Sequence, residues 1–259
     1  MRGASKLLAG LLAALAIAGA FWWPFGQARD SASVPCRRWE LRWLNRHRQL
    51  CRQAAAGPHD LVFVGDSITQ NWETDGSEVW QKYYAHRNAL NLGIASDRTQ
   101  HVLWRMANTD LSKALPKLIV LLVGTNNSAD DEATETAAGV EAIVLELKHK
   151  CPTAKILLMA IFPRGEEAND SRRLRNDETN AIIKRLADDE SIFFADIGAR
   201  LANPNGAASI ALMPDALHLN AEGYAAWAAA IEPNVQSLLG EADLASGAVG
   251  NVHESSRDE

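Results

Sequence analysis

A chain of 259 residues with 47% hydrophobic content is long enough to bury one large core, and nothing in it calls for a second domain. Its formal net charge of −6 argues against general nucleic-acid binding. No internal repeat is visible and no Cys or His spacing suits zinc, so neither a repeat array nor a metal or other cofactor is expected.

The chain opens with Arg2 and Lys6 ahead of an apolar stretch from Leu7 to Phe25, and Ala18-Gly19-Ala20 offers a small-residue cleavage site. Residues 1–26 therefore read as a signal peptide or, uncleaved, as a membrane anchor with Trp22, Trp23 and Phe25 at the interface. Basic residues on the N-terminal side put the rest of the chain outside the cytoplasm, periplasmic or anchored and facing outward. Residues 27–35 read as a linker. An arginine-rich stretch follows, Arg37, Arg38, Arg42, Arg46, Arg48 and Arg52 around Trp39, Leu41, Trp43, Leu44 and Leu50. We read it as an amphipathic helix packing its Trp and Leu face on the domain, in preference to a helix lying on anionic lipid. If residues 37–50 form one helix, Cys36 and Cys51 stand about 22 Å apart, too far for a bridge. Cys36, Cys51 and Cys151 are expected to be unpaired and without a catalytic role.

Beyond this stretch, apolar runs at 61–65, 89–93, 118–123, 155–161 and 192–196 alternate with helical patterns at 98–107, 132–150, 172–188 and 221–239. That alternation predicts an α/β fold with a parallel sheet and crossover helices. The near-continuous apolar character of the strands predicts burial on both faces. Pro116 and Pro152 fall in connections, as suits residues that end helices. The domain is bounded at 36–240, and the polar, Gly- and Ser-containing tail 241–259 is expected to be disordered.

Three polar clusters carry the chemistry. Gly65-Asp66-Ser67-Ile68 directly follows Leu61-Val62-Phe63-Val64, which puts a hydroxyl at the carboxyl edge of the sheet, where open α/β folds bind ligands. Ser67 would also suit a helix N-cap, and as a nucleophile it needs a base. Asp215-Ala216-Leu217-His218 supplies an imidazole with an acid three residues upstream, close enough to fix its tautomer. The other six histidines lack such an acid in a loop before a helix, while Asp215 could instead cap a turn after Pro214. Gly124-Thr125-Asn126-Asn127 follows the run from Leu118 to Val123. The Asn126 amide would serve an oxyanion, a role worth about 3–4 kcal/mol, with Asn127 free to shape the turn. Asp66 is adjacent to Ser67 and cannot readily reach the far ring nitrogen of His218, so it is given a structural role. Asp97 and Arg98 read as an ion pair bracing a loop. Trp72, Trp80 and Trp104 read as core, with an acyl pocket as the alternative.

These blocks resemble those of the SGNH (GDSL) hydrolases, and most closely the catalytic subunits of intracellular platelet-activating-factor acetylhydrolase and their bacterial relatives. Supporting stretches are Trp43-Leu44-Asn45-Arg46-His47-Arg48, Asn91-Leu92-Gly93-Ile94, Asp97-Arg98-Thr99-Gln100-His101-Val102-Leu103-Trp104-Arg105 and Pro163-Arg164-Gly165, within about 40 to 238. The resemblance implies a three-layer α/β/α, flavodoxin-like fold with a five-stranded parallel sheet. It implies a serine esterase acting on short acyl esters, acetyl above all, with Ser67, Asp215 and His218 catalytic. It also implies an oxyanion hole of the Ser67 and Ser96 backbone amides and the Asn126 side chain. The family usually has glycine where this chain has Ser96, a departure that matters if the site needs positive φ. The expected partner is a small-molecule, lipid or carbohydrate ester, with no nucleic acid and no cofactor. Membrane association through the N-terminal segment is expected as an option, and a homodimer is left open. Two rivals stand beside this reading. One is an extracytoplasmic O-acyltransferase or deacetylase of envelope polysaccharide. The other is a non-catalytic envelope-binding module, which the intact polar set argues against.

Overall fold

The computed structural model describes residues 31–241. The expected signal or anchor at 1–26 and residues 242–259 of the expected tail lie outside the described residues. Five strands form one parallel sheet among them: β1 (Leu61–Gly65), β2 (Leu90–Gly93), β3 (Leu118–Leu122), β4 (Lys155–Met159) and β5 (Ile192–Ala195). Their order is β2-β1-β3-β4-β5, so β1 has its sequence successor on one side and β3 on the other. In such a sheet the connections leave β1 in opposite directions, and a crevice opens at the carboxyl ends of β1 and β3. This is the flavodoxin-like arrangement that the resemblance implied.

Strand side chains alternate between two cores, as the period of two requires. Val62, Val64, Ile119, Leu121, Ile156 and Leu158 join one core, which α1 (Leu41–Ala54), α4 (Thr99–Ala107) and α5 (Ala133–Lys150) cover. Leu61, Phe63, Val120, Leu122, Leu157 and Met159 join the other, under α8 (Ala221–Leu239). Burial on both faces holds for β1 to β4 and accounts for their apolar runs, whereas β5, at the edge of the sheet, is half-buried throughout. In the second core Trp72 lies among Phe63, Tyr84, Tyr224 and Trp227 and is buried. Trp80 flanks the same aromatic group, and Trp104 packs against Trp43 and His47. All three tryptophans therefore belong to the packing.

The arginine-rich helix starts at Leu41, four residues later than the sequence suggested. Residues 36–40 are held in extended form instead: the Cys36 N–H donates to the Gln100 carbonyl at 3.0 Å, and the Arg38 guanidinium donates to the Ala95 carbonyl at 3.0 Å. The separation drawn for a helix over 37–50 therefore does not apply, although Cys51 and Cys151 are free thiols. Trp43, His47, Leu50 and Ala54 are buried, whereas Trp39 and Leu41 are 74% and 75% exposed, so only part of the expected apolar face packs. Within the stretch read as a linker, Ala32 is buried and its carbonyl accepts from Thr99 Oγ1 at 2.8 Å. At the other end Glu241, placed in the tail, pairs with buried Arg87 at 2.6 Å.

Strand β4 stops at Met159 rather than 161. The Asn180 side chain from α6 (Ser171–Ile183) takes over there, accepting from the Ile161 N–H at 2.7 Å and donating to its carbonyl at 2.9 Å. The pattern at 172–188 resolves into α6, capped by Asp170, and a 3-10 turn at Lys184–Leu186. Two short helices, α3 (Ser77–Tyr83) and α7 (Gly198–Leu201), fall where no element was expected.

Gly93 ends β2 against α2 (Ser67–Gln70), the short helix after β1. A Cβ there would stand 2.3 Å from the Gln70 nitrogen and 2.7 Å from the Thr69 carbonyl carbon. Backbone cannot swing aside as a side chain can. Gly93→Ala is therefore expected to lower stability by about 2 kcal/mol or more in urea denaturation. A midpoint equal to that of the parent chain would mean that this contact yields.

Candidate active site

The end of β1 turns directly into α2, and Asp66 rather than Ser67 caps it, accepting from the Ile68 N–H at 3.0 Å. The Ser67 hydroxyl is thereby left for another partner. It lies 2.9 Å from His218 Nε2. On the far side of the ring, His218 Nδ1 is 2.7 Å from Asp215 Oδ2. An ionised carboxylate only accepts, so Nδ1 carries the proton and Nε2 turns a lone pair to the serine. The structure thus brings Ser67, His218 and Asp215 into one hydrogen-bonded line across 151 residues of sequence.

Asp215 serves two functions at once. Its Oδ1 accepts from the backbone N–H groups of Leu217 at 3.1 Å and His218 at 2.7 Å, while Oδ2 holds the ring. The turn-capping and histidine-orienting readings are therefore both realised, one oxygen for each. Partial burial opposes its ionisation. The His218 ring and the two amides outweigh that effect, so the carboxyl lies below its ordinary range.

Asn126 follows β3 and reaches across the crevice, its Nδ2 donating to the Asp97 carbonyl at 2.9 Å and lying 3.5 Å from Asp66 Oδ2. Asn127 is buried and holds the start of α4, its Oδ1 accepting from the Thr99 N–H at 3.0 Å. Ser96 is exposed on the loop after β2 with φ of 62°, so the left-handed conformation in question is adopted by a serine. The expected Asp97–Arg98 pair does not form. Asp97 is fully buried and pairs inward with Arg105 at 2.6 Å, whereas Arg98 turns outward to Asp130. A helix residue eight positions on reaches the buried carboxylate, while the adjacent one points to solvent.

Several groups around this centre were given no part in the site by the sequence reading. Tyr224 on α8 donates its hydroxyl to the Ile68 carbonyl at 2.6 Å and pins α2 from behind. Arg164 donates to the Thr125 carbonyl at 2.7 Å, next to Asn126. Arg105 and Trp43 both bond the Asp97 carboxylate, each at 2.6 Å. The available signal was an arginine beside Val102, Leu103 and Met106 on the buried face of a helix. Beside Asp215 lies a cleft of about 400 Å³ bordered by Arg164, Glu166, Asp170 and Arg172. Among the described residues, no group of three or more His, Cys, Asp or Glu side chains could hold a metal ion.

A hydroxyl, an imidazole and a carboxylate aligned at the switch point of a parallel sheet have the geometry that acyl-transfer chemistry requires; the family that the chain matches makes it a carboxylic ester hydrolase. The model of the GDSL-like Lipase/Acylhydrolase family matches residues 63–226, and the chain belongs to that family. It is similar to platelet-activating factor acetylhydrolase IB subunit alpha2 of Rattus norvegicus, 36% identical over 201 residues that cover 77% of this chain and 86% of the relative. Among solved structures, a GDSL-like lipase from Bacteroides thetaiotaomicron has a TM-score of 0.59 at 22% identity, covering 74% of this chain and 98% of its own. A carbohydrate acetylesterase family member from Sinorhizobium meliloti has a TM-score of 0.54 at 20% identity, covering 71% and 99%. These two share the fold.

Two expectations follow from the geometry. The left-handed region costs a non-glycine residue about 1–2 kcal/mol, against about 0.5–1 kcal/mol for the extra freedom of unfolded glycine. Ser96→Gly should therefore be neutral or stabilising by up to about 1 kcal/mol, with esterase activity retained because the backbone N–H remains. A large loss of kcat would assign the Ser96 hydroxyl a direct part.

The second expectation concerns Asp66, whose carboxyl burial pushes up to about 7; Asp97 adds to the shift, and the Ile68 N–H, His218 and Arg105 oppose it. Folded Asp66 then holds its proton over a range, from about pH 4 upward, where the unfolded chain has lost it. The stability from this proton is present at the low end of that range and is lost as pH rises toward 7. The stability of the chain relative to Asp66→Asn should accordingly fall across this window and level off above it. A flat difference would show that Asp66 is ionised throughout.

Proposed function

We propose that Ser67 is the nucleophile of a Ser-His-Asp triad that hydrolyses short-chain acyl esters, acetyl foremost, through an acyl-enzyme. The observation that carries this reading is the unbroken relay from Ser67 Oγ to His218 at 2.9 Å and from His218 to Asp215 at 2.7 Å. His218 Nε2 takes the Ser67 proton as Oγ attacks the ester carbonyl. Asp215 keeps the ring oriented and stabilises the imidazolium that forms. The backbone N–H groups of Ser67 and Ser96 and the Asn126 amide receive the negative charge on the carbonyl oxygen. Collapse of this intermediate expels the alcohol, which leaves with the proton from His218. Water, deprotonated by the same ring, then frees the acid and restores the serine.

The acetyl preference draws support from the names of similar proteins, an acetylhydrolase and a carbohydrate acetylesterase family member. The charged lining of the cleft beside Asp215 suits a hydrophilic alcohol, a sugar or a lipid head group, over a long acyl chain. The basic start and apolar run before residue 26 support a place outside the cytoplasm, with that segment cleaved or retained as an anchor.

Activity on p-nitrophenyl esters should be highest for acetate, fall with acyl length and persist in a chelator. Ser67→Ala should abolish it with the fold intact. Asn126→Ala should lower kcat by about a hundredfold or more with little change in KM, because the amide bonds the oxyanion more strongly than the ground-state carbonyl. Full activity in Ser67→Ala would remove the serine from the mechanism.

A further inference from the structure

Arg105 sits on α4 with only 1% of its surface exposed, and each of its three guanidinium nitrogens is bonded. Nε donates to Asp97 Oδ2 at 2.6 Å, Nη1 to the Leu92 carbonyl at 2.8 Å and Nη2 to the Gly65 carbonyl at 3.0 Å. Gly65 is two residues before Ser67 at the end of β1, and Leu92 lies near the end of β2. Asp97 is the next link. Its Oδ1 accepts from Trp43 Nε1 at 2.6 Å, and its backbone carbonyl accepts from Asn126 Nδ2 at 2.9 Å. Ser96 immediately precedes it with its strained φ of 62°.

One buried cation therefore touches the end of β1 before Ser67 and the β2–α4 loop beside Ser96, and through Asp97 it is linked to Asn126 on the β3–α5 loop. We propose that Arg105 is a positioning residue of the oxyanion hole, acting through Gly65 and Asp97 to set the spacing of donors on three separate strand ends. This rests on the oxyanion-hole reading given under Proposed function. Such donors stabilise a transition state only when they are held within about 0.5 Å of the productive geometry. Arginine suits the task because its N–H groups diverge in a fixed plane, whereas lysine concentrates three donors at one point. A buried ion pair is also weak evidence for stability, since well-packed apolar groups commonly do as well. The geometric role accounts for its presence here.

The test compares Arg105→Lys and Trp43→Phe with Ser67→Ala and Asn126→Ala, all in the full chain, on p-nitrophenyl acetate. Arg105→Lys keeps the charge and loses the fork; Trp43→Phe keeps a ring beside His47 and loses one bond to Asp97. Folding is followed by urea denaturation, and kcat and KM are measured separately across pH. Both variants are expected to lower kcat at nearly constant KM, Arg105→Lys by about tenfold or more and Trp43→Phe by less, at an unchanged pH midpoint. Inactivation by diethyl p-nitrophenyl phosphate, whose phosphoryl oxygen would enter the same hole, should slow in parallel. If Arg105→Lys does not fold, Trp43→Phe decides. Folded variants with the parent kcat, or losses that track the unfolded fraction alone, overturn the proposal. The underlying reading fails separately, through an active Ser67→Ala or an unimpaired Asn126→Ala.

Discussion

Where a parallel strand ends, its last carbonyls lose their ladder partners, and burial makes an unpaired carbonyl costly. At the carboxyl ends of β1 and β2 the Ile94 N–H and Arg46 meet part of this demand, at Gly65 and Gly93, while Arg105 bonds both Gly65 and Leu92 and then needs an anion of its own. Asp97 supplies that anion from a position with no solvent exposure. Burial pushes its carboxyl up, and Arg105 and Trp43 oppose the shift. The placement of Ser96 and of Asn126 follows from this arrangement, because both are attached to Asp97, one through the chain and one through a hydrogen bond. The crevice is thus bounded by groups whose first task is to satisfy the ends of the sheet.

Two carboxyl groups near Ser67 show how environment divides labour between like residues. Asp66 is buried, accepts from an amide of the turn it caps, and is pushed up to about 7. Asp215 is 56% exposed at its side chain, accepts two amides and the His218 ring, and lies below its ordinary range. Only the second is suited to remain an anion beside a ring that gains positive charge, and pairs of acids pushed apart in this way commonly mark distinct roles. Adjacency in sequence is a poor guide here. The acid next to the serine shapes its turn, while the acid 148 positions later completes the line of hydrogen bonds.

Much of this was legible in the chain itself. The apolar runs identified the five strands, because strands with both faces covered are made largely of apolar residues, Asn91 in β2 being a buried polar exception. Two of the three polar clusters were visible because each closes such a strand, and in the third Asp215 and His218 lie close enough to meet by local geometry alone. The start of the arginine-rich helix, the end of β4 and the true partner of Asp97 were not legible. Each depends on a group distant in sequence: Gln100 and Ala95 for the extended segment at 36–40, Asn180 for Ile161, and Arg105 with Trp43 for Asp97.

The sequence by itself determined the fold class and the chemical identity of the groups at the crevice, since hydrophobic period and residue type act locally. Tertiary structure decided which of the groups far apart in sequence meet. The 2.9 Å contact of Ser67 with His218 requires the β1–α2 turn and the loop before α8 to be brought together, and no local pattern encodes that approach. The same holds for Arg105, whose partners at the ends of β1 and β2 and in the loop after β2 come together only in the folded sheet. A guanidinium states what it can bond, but burial among particular carbonyls decides what it does bond.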